Sequence, residues 1–346
     1  SEAIQHPEFK ALVSHQDLLI SGVNYNSNKK NGDAFLKPST GSYTEVNSKL
    51  LDENVLATNK VFYVGHPILA VASSNSHNAQ EILDLIKIKY NVLQPVTNIE
   101  ESLDPNSPKL HNGFIPPVNF NGKISSQNIT NQMQLNLGDF SSAIKNCDNV
   151  FSDTYLTSTV HQGYIEPQSA TAIWNNDDKL TIWCSSQGHF GIREQVSKIL
   201  NLPISSIKIV PMEIGGGFGG KLRAYLEPIA AILSKKTNKP VKLSMTRAEV
   251  LEATGPTSAA KLHVTIGLND KKFVAAKVKF FMEGGAFQGA PIGGGGASSF
   301  VPYDIPNIFV EGFDVAVNKA TSSAYRAPGA PIVTFGIESL IDDIAN

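Results

Sequence analysis

The sequence predicts an α+β chain in which a small α+β unit precedes a larger mixed α/β domain. Three observations carry that reading. Residues 60–93 hold short apolar runs of strand character around a segment with helical spacing. Asn175-Asn176-Asp177-Asp178 lies between two strand-like runs and is a strong hairpin signal. A glycine-rich stretch, Gly215-Gly216-Gly217-Phe218-Gly219-Gly220-Lys221, follows a strand-like run and opens toward a helix-like one.

In the first region, residues 1–100, Lys60 to Ala72 reads as two short strands broken at Gly65-His66-Pro67. Asn75 to Lys87 places Ala79, Ile82, Leu83 and Ile86 on one helical face, and Ile88 to Leu93 reads as a strand ending near Pro95. Residues 21–55, rich in Asn, Ser, Gly and Lys, read as long loops. Residues 101–145 carry Pro105, Pro108, Pro116 and Pro117 among many Asn and Ser, the pattern of an extended linker and a domain boundary. Residues 146–346 form the mixed domain. Its expected strands are Ala170 to Trp174, Lys179 to Cys184, Ile207 to Pro211, Val241 to Thr246, Lys261 to Gly267 and Phe273 to Gly284. Its expected helices span Phe190 to Leu200 and about Ala224 to Lys235, the latter with an apolar stripe of Leu226, Ile229, Ala230 and Leu233. Gly289 to Gly296 reads as a second glycine-rich loop.

Composition narrows the function classes. The 346-residue chain has a formal net charge of -2, 17% charged residues and scattered Lys and Arg, so no basic footprint for nucleic acid exists. No apolar run has membrane-spanning length, and the polar start Ser1-Glu2-Ala3-Ile4-Gln5-His6 lacks a signal-peptide pattern. The expected compartment is the cytoplasm, with a signal on a partner subunit left open. Two cysteines, Cys147 and Cys184, cannot hold a four-Cys iron–sulfur cluster, and no Cys/His spacing resembles a zinc site. Buried free thiols are the expected state in a reducing compartment, with a structural disulfide as the alternative.

The five glycines around Phe218 leave a backbone whose N–H groups can approach a phosphorylated or oxyanionic ligand closely. A tight-packing turn is the bland alternative. Two nucleotide patterns are met only on paper. The P-loop reading needs Ser or Thr after Lys221 to hold a metal, and the chain has Leu222. The dinucleotide reading needs an acidic residue about 20 positions later, where Thr237-Asn238-Lys239-Pro240-Val241-Lys242 has none.

Taken together, the blocks resemble the large, molybdenum-binding subunit of the xanthine dehydrogenase/aldehyde oxidase family, the molybdenum hydroxylases. Val64-Gly65-His66-Pro67-Ile68-Leu69-Ala70-Val71, followed by Tyr90-Asn91-Val92-Leu93, resembles the family's a/b hammerhead domain, here N-terminally truncated. Gln162 to Gln168, Ser186-Gln187, the glycine loop, Thr246-Arg247-Ala248-Glu249 and Ser323 to Pro331 follow in the family's order and resemble its first molybdopterin-binding domain. The ligand implied is a molybdopterin cofactor, held by Gln187, Gly216, Gly217, Phe218, Gly219, Gly220, Arg326 and Ala327, with no metal ligated directly by a side chain of this chain. By resemblance Gln187 donates to an oxygen ligand of the metal, Phe218 is a wall beside it, and Arg326 orients an anionic group. A capping amide, a core phenylalanine and a surface ion pair are the ordinary alternatives for these three. Glu166 is read as fixing a loop through backbone hydrogen bonds and not as a base.

Two departures qualify the resemblance. Leu222 stands where the animal-type xanthine oxidases carry a purine-holding glutamate, and Gly294 falls where they place a substrate-binding arginine. That points away from animal-style xanthine recognition and toward members acting on aldehydes, aromatics or N-heterocycles. The chain is also about half as long as the family's large subunits, so the second molybdopterin-binding half and its late glutamate base are expected on a missing half or a partner subunit. Turnover by this polypeptide alone is not expected. Iron–sulfur clusters and FAD are expected on further partners. A non-catalytic scaffold relative and a nucleotide-binding module remain the rival readings.

Overall fold

A computed structural model describes residues 2–20, 51–111 and 126–346. Among these residues eleven strands run in chain order: β1 (Phe9–Ser14), β2 (Leu69–Ser73), β3 (Ile129–Leu137), β4 (Asn149–Thr157), β5 (Ser169–Trp174), β6 (Leu180–Cys184), β7 (Ile207–Pro211), β8 (Val241–Ser244), β9 (Ala260–Asn269), β10 (Lys272–Gly285) and β11 (Asn307–Ala316). The chain divides into two compact units, and its path passes between them more than once. Described residues 2–20, 51–94 and 163–254 build the first, and 95–111, 126–162 and 255–346 build the second.

The first unit holds the antiparallel pair β1–β2 and a four-stranded sheet of order β7-β6-β5-β8. β5 and β6 form the expected antiparallel hairpin. Its turn accommodates Asp178 at φ 56, a conformation Asp tolerates better than most residues. β6 and β7 are parallel and joined by the helix His189–Leu200, a right-sized β-α-β crossover. That helix buries Ile192, Val196, Ile199 and Leu200. The helix Glu227–Thr237 buries Ile229, Ala230, Ile232 and Leu233 in the same core, together with Ala11 and Val13 of β1. Lys236 at its C-terminal end donates to Leu12 O at 2.7 Å, tying the helix to β1.

The second unit is a five-stranded sheet of order β3-β11-β10-β9-β4. The helices Ile292–Ser298 and Ala330–Ala345 contribute Ile292, Val333, Ile337 and Leu340 to a core with Leu262, Val264, Val278, Phe280 and Val310.

Several expectations are corrected. The unit boundaries do not follow the division at residues 100 and 145, because contacts group segments distant in sequence. The supposed linker contains the helix Ile99–Leu103 and β3, which pairs antiparallel with β11; Pro116, Pro117 and most of the loop-rich residues 21–55 lie outside the described residues. Of the two strands expected from Lys60 to Ala72, only β2 forms. Ile88 to Leu93 forms no strand either, and Tyr90 and Val92 stand exposed at 59% and 89%. Strand propensity needs a neighbouring strand to accept its hydrogen bonds, and none among the described residues lies alongside. The helix expected over Asn75 to Lys87 is shorter, Ser76–Asp84, with Asn75 capping it through Asn78 N–H at 3.0 Å. Gly289 to Gly296 is not a loop throughout, since its second half lies in the helix Ile292–Ser298.

Candidate functional site

The parallel pair fixes the site. Gln187 lies just past the carboxyl end of β6, and the glycine loop lies just past the carboxyl end of β7. Ligands of α/β sheets bind outside such strand ends, where loops can diverge while the strands stay rigid. The helix Glu227–Thr237 starts well after Lys221, so no helix N-terminus follows directly on the loop, and the loop's own N–H groups are what it offers.

Three side chains set the loop's shape. Glu166 Oε2 accepts from Gly215 N at 2.7 Å and pairs with Lys221 Nζ at 2.7 Å, while Glu166 N donates to Gly215 O at 3.1 Å. One carboxylate therefore clasps both ends of the glycine stretch. Burial raises the Glu166 carboxyl, but the Lys221 and Gly215 hydrogen bonds and the Lys221 charge outweigh it and hold the group below its usual range. Lys221 is 2% exposed and also lies over the Tyr164 ring, 4.9 Å from its centroid. Arg247, from the Thr246-Arg247-Ala248-Glu249 block, donates to Tyr164 O at 3.0 Å and Ile165 O at 2.5 Å. It thereby positions the segment that carries Glu166, and a Thr246–Glu249 capping box starts its own helix.

Gln187 fills the loop's centre. Its Oε1 accepts from Gly219 N at 2.8 Å and Lys221 N at 3.2 Å, and its backbone N–H donates to Lys221 O at 2.9 Å. With the oxygen committed to two backbone donors, the amide orientation is determined and Nε2 faces away as a donor. Gly217 admits this arrangement: a Cβ there would lie 2.5 Å from Gln187 Oε1. Gly216 adopts φ +96, a conformation side chains resist. Among the described residues no hydrogen bond takes up the N–H groups of Gly216, Gly217 or Phe218. Phe218 itself adopts φ 52 and remains 51% exposed, so it is not a core residue. A left-handed phenylalanine costs about 1–2 kcal/mol, and the clasped ends of the loop hold it there.

Gln187 and Gly216 to Gly220 are thus brought together. Arg326 and Ala327 belong to the second unit. Arg326 is exposed and forms no ion pair among the described residues. Ala327 adopts φ 59 and accepts from Ala330 N at 3.2 Å, closing the turn before the last helix. Two contributors were missed. Gln195, on the helix His189–Leu200, donates to Leu222 O and accepts from Ala224 N at 3.0 Å, fixing the chain beyond Lys221. Tyr164 shares hydrogen bonds with Thr254 and Gln168. Neither pattern is visible in sequence, because Leu222 and Ala224 lie 27 and 29 positions from Gln195, and Thr254 lies 90 from Tyr164. No group of three or more His, Cys, Asp or Glu among the described residues could hold a metal ion.

The donor set is a cradle of free N–H groups, an outward amide N–H₂ and one exposed aromatic face, which fits a cofactor bearing oxo and phosphate oxygens. The comparisons agree. The chain is 29% identical over 300 residues to a probable xanthine dehydrogenase subunit of Bacillus subtilis, covering 85% of this chain and 38% of that protein. It is 32% identical over 284 residues to the nicotinate dehydrogenase large molybdopterin subunit of Eubacterium barkeri, covering 81% and 64%. The chain thus spans only part of each relative's length. The fold matches the aldehyde oxidoreductase of Desulfovibrio gigas with a TM-score of 0.79 at 22% identity, over 99% of this chain and 36% of that one. It matches the CO dehydrogenase of Oligotropha carboxidovorans with a TM-score of 0.82 at 22% identity, over 99% and 42%. A family model described as the molybdopterin cofactor-binding domain matches residues 123–346, and the chain belongs to that family, among the molybdenum hydroxylases of the xanthine dehydrogenase/aldehyde oxidase type.

Proposed function

We propose that this chain supplies one wall of the molybdenum site in a hydroxylase that oxidises a C–H carbon of an aldehyde, aromatic or N-heterocyclic substrate with water-derived oxygen. The observation that carries the reading is Gln187, whose oxygen is committed to Gly219 and Lys221 N–H groups and whose amide nitrogen is therefore presented as a donor beside the bare N–H groups of Gly216 to Phe218. When bound, the cofactor supplies the two-electron redox chemistry. The chain's own residues bind and orient. Gln187 Nε2 would donate to an oxygen of the cofactor without adding charge, the loop N–H groups would meet cofactor oxygens, and Phe218 would shield the face beside them. Arg326 and Ala327, which lie in the second unit, are cofactor-binding candidates by resemblance. The general base, the second cofactor-binding half, the iron–sulfur clusters and FAD are assigned to the rest of the assembly.

Leu222 and Gly294 shape the substrate class. Leu222 places an apolar side chain within 3.2 Å of where a Cβ on Gly188 would sit. At Gly294 a Cβ would lie 2.3 Å from Pro328 O, so no arginine fits there without moving main chain. Lacking both charged groups, the chain favours substrates that do not need purine-specific hydrogen bonds. Nicotinate and aldehyde, named in the relatives, are of that kind. The proposed compartment is the cytoplasm, supported by two free thiols, Cys147 and Cys184. Among the described residues no helix is long and apolar enough to cross a membrane.

The test is Gln187→Glu in the native assembly purified through this chain. Its carboxylate still accepts the two loop N–H groups but cannot donate when ionised. The expected result is molybdenum content near that of the unaltered assembly, by elemental mass spectrometry, with turnover of nicotinate or an aldehyde reduced at least tenfold. Unchanged turnover would remove Gln187 from the site, and an unaltered assembly without molybdenum would leave the scaffold reading in its place.

A further inference from the structure

Two residues beyond Lys221, Arg223 is 9% exposed, and its Nη1 is buried without a hydrogen-bond partner. Among the described residues it forms no ion pair. The nearby acid of the same segment, Glu227, does not compensate it. Glu227 is 7% exposed, spends one oxygen on Tyr225 N at 2.9 Å, and burial pushes its carboxyl up toward the neutral form despite the backbone hydrogen bonds it accepts. The neighbour that does feel the guanidinium is Tyr63, 7% exposed, whose phenol burial and Tyr225 push up while the Arg223 charge opposes them. Tyr63 stacks on His66 at 4.7 Å, and burial keeps that imidazole neutral, with its pKa lowered to about 4, so it brings no negative charge.

A guanidinium N–H₂ withdrawn from water without a partner is costly, because its hydration is lost and nothing replaces it. Arginine is also the side chain best shaped to take two oxygens of a carboxylate or phosphate at once. We propose that Arg223, with the phenols of Tyr63 and Tyr225 beside it, anchors an oxyanion niche in the first unit that takes the carboxylate or phosphate group of a small ligand. Tyr63, Arg223 and Tyr225 each keep a small accessible fraction while Nη1 itself is buried, so an anion reaches it only as the surrounding side chains give way. Leu222 lies against Gly188, at the glycine-loop side, whereas the charge of Arg223 acts on Tyr63, a residue outside the loop. It stands whether or not the molybdenum reading does.

The experiment uses the native assembly purified through this chain, dialysed into chloride buffer and titrated calorimetrically with inorganic phosphate and, separately, benzoate. At least one is expected to bind saturably, with affinity reduced at least tenfold by Arg223→Met, less by Arg223→Lys, and a few-fold by Tyr63→Phe. The choice of anion identifies the source, phosphate ester or carboxylate. In the chloride buffer without phosphate or benzoate, Arg223→Met should melt no lower than the unaltered assembly, since an unpaired buried charge has been removed. Absence of saturable binding, or equal binding by Arg223→Met, overturns the proposal. So does an Arg223→Met assembly that unfolds or melts far below the original in that buffer, because that marks a protein carboxylate as the occupant.

Discussion

Between Gly215 and Gly220 the glycines leave backbone N–H groups unused, whereas between Gly293 and Gly296 the same residue type lets neighbours press against a helix. In the first run, Gly216, Gly217 and Phe218 donate no backbone hydrogen bonds among the described residues, and side chains at the edges, Glu166 and Gln187, hold the loop open. In the second, the helix uses its own hydrogen bonds, such as Gly295 N to Pro291 O at 3.1 Å. Its missing side chains are replaced by Pro328 O, Val333 and Met133, each closer than 3 Å to where a Cβ would be. Composition is therefore a poor guide to a glycine run. What separates a ligand cradle from a packing seam is where the backbone hydrogen bonds go.

The largest effect expected from breaking this contrast is at Gly217→Ala. The added methyl meets Gln187 Oε1 at 2.5 Å, and that oxygen cannot retreat without releasing two loop N–H groups. Molybdenum per chain in the native assembly should fall at least tenfold, while overpacking costs about 1–3 kcal/mol in the denaturation midpoint. Retained molybdenum would mean that the loop is a turn and nothing more.

Next comes the clasp. Glu166→Gln leaves Lys221 buried without its counter-charge, a loss of about 3 kcal/mol measured by denaturant unfolding. The pH dependence has a definite sign. Because the folded carboxyl titrates below its ordinary value, its stabilisation is complete above the ordinary carboxylate range and disappears as pH falls through the lowered one. The variant should lose that acid limb and show a flatter profile of melting temperature against pH. An unchanged slope would show that the pair does not hold the loop.

How much of this contrast was legible in the sequence differs between the two runs. The glycine loop, the strand before it and Gln187 were readable because they sit in short, local patterns, and the resemblance supplied their order. The clasp was only half readable: Glu166 announced a loop contact, but its pairing with Lys221 spans 55 positions. The second run was misread because Ile292-Gly293-Gly294-Gly295-Gly296 carries no helix signal at all, glycine being a poor helix former. Packing against Val333 and Met282 decides its conformation. β3 was hidden for the opposite reason. Its Thr130, Asn131, Gln132, Gln134 and Asn136 resemble linker composition, yet an edge strand whose side chains past Ile129 are all half-buried or exposed tolerates polar residues.

The smallest effects sharpen the comparison from within the packed helix itself. At Gly295 a methyl would meet Val333 Cγ2 at 2.8 Å and Met282 Cε at 3.1 Å. Valine is stiff at χ1, so Gly295→Ala should cost about 1–3 kcal/mol, with molybdenum per folded chain unchanged. At Gly296 the obstacle is Met133, whose Cε lies 2.2 Å and Sδ 2.5 Å from the added atom. A thioether end swings aside readily, and alanine is favoured over glycine in a helix by about 1 kcal/mol. Gly296→Ala should therefore fall within about 0.5 kcal/mol of the unaltered chain in the same unfolding measurement. If both substitutions cost alike, side-chain stiffness does not govern this seam, and the helix must be yielding as a rigid body instead.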